Sequence, residues 1–160
     1  MTPVPPQLTF GWGPRGWSRR LYRPGDEARM TLRADFAAQA AAAPGLPEGP
    51  KWTLTRGVGR GLSPVVAGVG GVAPGEHAGD GFLWGLASDL DARGWAAVRA
   101  FVGETALWAE RTLGALRLIA VVPAHRPEAA ALLARLDFEV EGPARLQDGS
   151  PARMMIRRRD

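Results

Sequence analysis

Residues 89–101 read DLDARGWAAVRAF, and the residue types and their spacing suit the binding of a phosphate. The start of a helix presents N–H groups without intrahelical partners and a partial positive charge, so the amides around Arg93, Gly94, Trp95 and Ala96 can face a pyrophosphate. Gly94 and Ala96 are small enough for close backbone approach, and Arg93 can add a charge-assisted hydrogen bond. The competing reading is a plain strand-to-helix turn with Arg93 solvated. Asp91 fits the anion reading poorly: as a cap it favours the helix dipole, yet its carboxylate repels a pyrophosphate unless it turns away or pairs with Arg93.

Groups able to take a proton from an amine are few. Glu76 and His77 fall in the polar turn GEHAGDG together with Asp80, Glu104 lies further along, and His125 follows an apolar run. A histidine changes charge near neutrality. His125 stands at the carboxyl end of an expected parallel strand, where ligands of open α/β sheets gather, with a capping role as the alternative. GVGRG at 57–61 has the glycines of a phosphate loop but lies between two strand candidates, so a hairpin turn is the better reading. The sequence holds no G-x-S-x-G, no G-x-x-x-x-G-K-[ST] and no His pair at metal spacing, which disfavours a serine hydrolase, a P-loop nucleoside triphosphatase and a zinc enzyme. With no Cys, disulfides, thiolate zinc sites and cysteine nucleophiles are excluded.

These residues need a scaffold, and 160 residues with 46% hydrophobic and 22% charged content suit one globular domain. Nearly all of the positive charge is arginine and the net charge is +4. Because the arginines are scattered apart from Arg157, Arg158 and Arg159, nucleic acid is not an expected partner. No apolar run is long enough to span a membrane and no basic-then-apolar leader opens the chain, so a cytoplasmic location is expected.

Along the chain, residues 1–17 are rich in Pro and Gly with Trp12 and Trp17, and read as an extended arm able to dock on a second copy or a partner protein. Residues 18–160 then form the single domain. SRRLYRP (18–24) reads as a strand and 26–43 as a helix capped by Asp26. WTLTRG (52–57) and SPVVAGVGGVAP (63–74) read as a hairpin, and FLWGLAS (82–88) as a buried strand. Trp95, Val98, Val102, Ala106, Ala109 and Leu113 recur at helical spacing up to Gly114. RLIAVV (117–122) reads as a strand covered on both faces, so strand, long helix and strand make a parallel crossover. A short helix from Pro127 with Ala129, Leu132, Leu133 and Leu136 on one stripe, and strands FEVEG (138–142) and ARMMIRRR (152–159), complete a mixed α/β domain.

Residues 79–142 resemble the second half of the GNAT acyltransferase fold. The resemblance rests on DARGWA (91–96), at the place of the family's Q/R-x-x-G-x-G/A loop, and on AALLARLDFEVEGPAR (130–145), similar to its ending LYERLGFEVEG. It implies an α/β fold of mixed α+β type, with a central sheet of about six to seven strands, three to four helices and splayed central parallel strands. It also implies acetyl-CoA or CoA as the cofactor, bound by Arg93, Gly94, Trp95 and Ala96 at the pyrophosphate and by backbone groups of Leu86, Ala87 and Ser88 along the pantetheine. Backbone amides near Leu86 and Ala87 would polarise the thioester carbonyl, and Trp84 and Trp95 would line the acyl pocket. The implied activity is transfer of an acetyl group to an amine of a small molecule or a protein, with Glu76, His77 and His125 as the candidate bases. Departures are Asp91 in place of Gln or Arg, Leu133 in place of a Tyr that protonates the departing thiolate, Arg126 in place of Asn, and Asp137 in place of Gly. They keep open a second expectation, a GNAT-shaped structural or interaction module without catalysis, as in phage-encoded and virion-associated proteins.

Overall fold

The computed structural model describes residues 15–31, 37 and 45–159. Seven strands, β1 (Trp17–Leu21), β2 (Lys51–Arg56), β3 (Val65–Pro74), β4 (Asp80–Ala87), β5 (Arg117–Pro123), β6 (Glu139–Arg145) and β7 (Pro151–Arg158), form one sheet in the order β1-β2-β3-β4-β5-β7-β6. Every neighbouring pair is antiparallel except β4 and β5, which are parallel. Parallel neighbours need a long connection, and the long helix α1 (Ala92–Thr112) supplies it. The short α2 (Pro127–Ala134) joins β5 to β6, with Pro127 in its first turn, where a missing N–H costs nothing.

The expected strands all form, and TLTR and VVAGV pair as the expected hairpin. The expected helix over 26–43 differs at its start, while Ala37 further along is helical. Asp26–Arg29 is a single 3-10 turn and Met30 is extended, while residues 32–36 and 38–44 lie outside the described residues. Asp26 caps nothing with its side chain; Gly25 holds the cap position. The carboxylate instead accepts hydrogen bonds from Arg20 (2.7 and 2.9 Å), the Thr53 hydroxyl (2.6 Å) and the Arg23 amide (2.9 Å). Burial alone would raise this carboxyl, but those donors and the Arg20 charge together hold it well below the usual carboxylate range. The expected arm also ends earlier than residue 17, since Trp17 is buried as the first residue of β1; residues 1–14 lie outside the described residues.

Both helices belong to the main core, built on one face of the sheet around Trp52, Leu54, Leu83, Phe101, Leu118 and Met155. A smaller cluster of Met30, Val66 and Val69 holds Tyr22, Leu46, Trp84 and Leu86, and side-chain alternation along β4 puts Trp84 and Leu86 on the face opposite Leu83 and the helices. Helix α1 lies close to the sheet because β3 offers glycine there. A Cβ built on Gly70 would stand 3.2 Å from the Phe101 ring and 2.9 Å from the Trp84 carbonyl. The helix is fastened at Thr105, whose hydroxyl accepts from the buried Arg19 at 3.1 Å and donates to the Phe101 carbonyl at 2.8 Å. At its other end, Arg157 of β7 grips Glu110 at 2.7 Å.

Candidate functional site

The parallel pair at the centre of the sheet is joined at one end only. β4 and β5 are in register over Asp80 and Arg117, Gly81 and Leu118, and Phe82 and Ile119. There Arg117 clasps Asp80 through two hydrogen bonds of 2.9 and 2.7 Å, and this contact holds the Asp80 carboxyl below its ordinary range. Beyond Phe82 the two strands follow different partners. β4 continues on β3 as far as Ala87, and β5 continues on β7 as far as Pro123.

The orientation of the β4 backbone follows from its two ends. Asp80 turns its carbonyl to β3, accepting from the Gly75 amide, and Ser88 turns its amide to β3, donating to the Ala67 carbonyl. Antiparallel alternation then directs the N–H and C=O of Phe82, Trp84 and Leu86 to β3 and those of Leu83, Gly85 and Ala87 towards β5. Past Leu83 no β5 ladder meets them. Gly85 and Ala87 thus present peptide groups along an open edge, available to a ligand that runs beside the strand.

A cleft of about 170 Å³ occupies the gap. Its lining includes Leu83, Gly85, Ala87, Ala120 and Val122 from one face of the sheet and Trp84, Leu86 and Val121 from the other. Consecutive residues of both strands line it, so the cleft lies in the gap between β4 and β5. On the helix side it is walled by Trp95, Val98, Phe101 and Val102 of α1 and by Ala129, Leu132 and Leu133 of α2. Among the described residues no ionisable side chain lines it.

At the open end of the gap stands the N-terminus of α1. Asp91 is its cap, and its carboxylate accepts from the Gly94 amide at 2.9 Å. The Trp95 amide donates to the Asp91 carbonyl at 3.0 Å, and the Ala96 amide is within the helical ladder. Of the four amides expected to face a phosphate, that of Arg93 is the one left without an intrahelical or capping partner, together with the preceding Ala92. The Arg93 side chain is exposed. Gly94 is buried, and a Cβ on it would stand 2.8 Å from the Leu90 Cβ; its smallness accommodates Leu90.

The other sequence candidates separate in space. Glu76 and His77 lie exposed in the β3–β4 turn beside Asp80, at the joined end of the strands, and neither lines the cleft. His125 is exposed two residues after Pro123, at the open end. Leu86 lines the cleft with its side chain while its peptide groups serve the β3 ladder, and the Ser88 amide is likewise taken. Ala87 contributes both. Gly85 was not among the expected site residues; a glycine inside a strand is the signal for close approach of another backbone or a ligand. Leu133 is buried on the cleft wall, with no hydroxyl at that position. Asp137 adopts φ 65, the left-handed turn for which Gly is the usual residue.

No protein-family model matches the sequence, and no curated protein matches it. Solved structures do. The ribosomal-protein-S5-alanine acetyltransferase from Vibrio fischeri is 14% identical with a TM-score of 0.67, covering 98% of both chains. A GCN5-related N-acetyltransferase from Kribbella flavida is 18% identical with a TM-score of 0.64, covering 92% of this chain and 100% of its own. A spermidine N-acetyltransferase chimera from Vibrio cholerae and hSSAT is 12% identical with a TM-score of 0.62, covering 90% and 96%. Sequence identity this low carries the architecture and not the activity. The mixed seven-stranded sheet, its parted parallel strands and these likenesses together give the chain the fold of the GCN5-related N-acetyltransferases.

Proposed function

We propose that the protein is an acetyl-CoA-dependent N-acyltransferase that transfers an acetyl group to an amine by direct attack. The observation that carries this reading is the cleft between the parted strands, edged by the open peptide groups of Gly85 and Ala87. Acetyl-CoA supplies an activated thioester. Along β4 the Gly85 and Ala87 peptide groups pair with the amides of its pantetheine arm and donate to the thioester carbonyl, where negative charge develops during attack. Arg93 and the free amides of Ala92 and Arg93 hold the pyrophosphate. Walls of Val98, Val102, Leu132 and Leu133 exclude water from the sulfur.

The uncharged amine attacks the carbonyl carbon, the C–N bond forms, the C–S bond breaks, and CoA leaves as thiolate. With Leu133 on the wall, that thiolate takes its proton from water, which its modest basicity permits. The proton lost by the amine leaves through water at the mouth, and His125 at the open end is the candidate to receive it. Among the described residues no helix is long and apolar enough to cross a membrane, and we place the reaction in the cytoplasm.

Among the described residues no ionisable side chain lines the cleft and Asp91 is seated on the Gly94 amide, which favours a second reading, a module that binds CoA or a partner without transfer. Calorimetric titration with acetyl-CoA, followed by mass detection of an acetylated amine, separates the two. Gly85→Leu is the matched variant. A Cβ at Gly85 meets nothing nearer than the Val69 carbonyl at 3.7 Å, so the fold tolerates the side chain while it fills the cleft. The proposal expects loss of acetyl-CoA binding at unchanged melting temperature. Gly94→Glu is a poor substitute, because its clash with Leu90 disturbs the helix start itself.

A further inference from the structure

We propose that Arg19 stabilises the departing thiolate of CoA through space, from behind the inner wall of the cleft. This rests on the acyl-transfer reading and adds to it a positioning residue that never touches the cofactor. Arg19 is 1% exposed on β1. Its Nη1 donates to the Thr105 hydroxyl at 3.1 Å, and its guanidinium carbon stands 4.6 Å from the Trp52 ring centroid and 5.7 Å from that of Phe101. Nε and Nη2 are buried without a hydrogen-bond partner. Arg20, Arg117 and Arg157 each grip a carboxylate, whereas Arg19 is held by a hydroxyl and two ring faces.

Such a charge works against stability, because aromatic faces attract a cation without neutralising it. Burial lowers the guanidinium to about 10 and Glu104 offsets part of that effect, so Arg19 remains a cation at neutral pH. Among the described residues β2 meets it with the uncharged Trp52 and Leu54, and α1 with Phe101, Thr105 and the carboxylate of Glu104. Leu54, Phe101 and Thr105 also line the cleft. The charge therefore lies one side chain behind the wall. Thr105 is about 18 Å of helix from Arg93, so Arg19 serves the inner end of the cleft and not the pyrophosphate. With an apolar lining between them, its field reaches the cleft weakly screened. When the C–S bond breaks, its electron pair passes to sulfur, and the thiolate then takes a proton from water. A thiolate desolvated among apolar walls is unfavourable, and a fixed positive charge offsets this without reorganisation.

The test reads the thiol of bound CoA, which is the only thiol present because the chain has no Cys. The ultraviolet absorbance of the thiolate, taken as the difference between the CoA and acetyl-CoA complexes, is followed over a pH series in the wild type, Arg19→Met and Glu104→Gln. Arg19→Met keeps a long side chain without the charge and is expected to raise the titration of the bound thiol by about one pH unit. Glu104→Gln removes the opposing charge and is expected to lower it. Acetyl-CoA has no thiol and is expected to bind all three proteins alike by calorimetry. A bound thiol that titrates alike in all three, or that moves the same way in both variants, overturns the proposal. So does a parallel loss of CoA and acetyl-CoA affinity in Arg19→Met with the thiol unmoved, the mark of a purely structural role. If Arg19→Met does not fold, a lowered titration in Glu104→Gln supports the proposal and an unmoved one overturns it. If both ligands bind while the thiol ignores the substitutions, the acyl-transfer reading stands; if neither binds, both fall.

Discussion

Asp91 should act against the cofactor, and the size of that effect can be worked from the helix start. Its carboxylate accepts from the Gly94 amide at 2.9 Å, a capping bond worth about 1 kcal/mol. A pyrophosphate held on the neighbouring Ala92 and Arg93 amides extends to this one only by displacing the bond. It also meets a negative charge about 5 Å away, which in water costs on the order of 1 kcal/mol per unit charge. Asp91→Ala removes both obstacles and should tighten CoA binding by about 2 kcal/mol, roughly thirtyfold. The free protein should melt about 2–4 °C lower for loss of the cap. Asp91→Asn retains a capping oxygen and loses only the charge, so about fivefold tightening is expected, fading as salt is raised. Calorimetric titration of the three proteins at low and high salt measures this. Equal affinity across the series, or weaker binding by Asp91→Ala, would refute both the competition and the placement of the pyrophosphate.

Other outcomes follow from the same structure. Asp26→Ala strands the Arg20 guanidinium and should cost about 3 kcal/mol, seen as a fall in melting temperature of about 6–12 °C. Because the Asp26 carboxyl lies below its unfolded value, its contribution is complete above the ordinary carboxylate range, near pH 4, and is lost as pH falls further. An Asp26→Ala stability deficit that stays constant from neutral pH down into strong acid would contradict that sign. Asp137→Gly should leave stability within about 0.5 kcal/mol, whereas Asp137→Val, forcing a branched side chain into φ 65, should cost about 1–2 kcal/mol in denaturant unfolding. With no ionisable side chain among the described residues of the cleft wall, kcat/KM should rise with pH along the acceptor amine's own deprotonation. His125→Ala, which removes the group proposed to receive the released proton, should lower it in a pH series of initial rates.

The strand pattern was legible because each strand is a short apolar or alternating run bounded by Gly or Pro, and the β4–α1–β5 crossover followed from the change of period at Trp95. The phase of α1 was legible in part. Ala106 and Ala109 are fully buried as expected, and Val98 and Val102 pack half-buried against the core on the cleft wall, but Leu113 is exposed, and Gly94, Ala97, Phe101, Thr105 and Trp108 are buried as well. The sheet side of this helix needs small residues where it approaches β3 closely, and Gly, Ala and Thr carry little hydrophobic signal. β5 was expected to be covered on both faces, yet Leu118, Ala120 and Val122 are buried and Ile119 and Val121 only half so. Arg93 to Ala96 were legible as a helix start, but which amides remain open depends on the Asp91 rotamer. Glu76 and His77 were adjacent to β4 in sequence and at its joined end in space, a distinction that only the direction of the splay decides.

The central claim is that the parted strands hold acetyl-CoA. Titration of acetyl-CoA into the wild-type chain and into Gly85→Leu, with both melting at the same temperature, tests it most directly. The account predicts saturable binding by the wild type and none by the variant. Identical heats from the two proteins, or no binding by the wild type at millimolar acetyl-CoA, would contradict it.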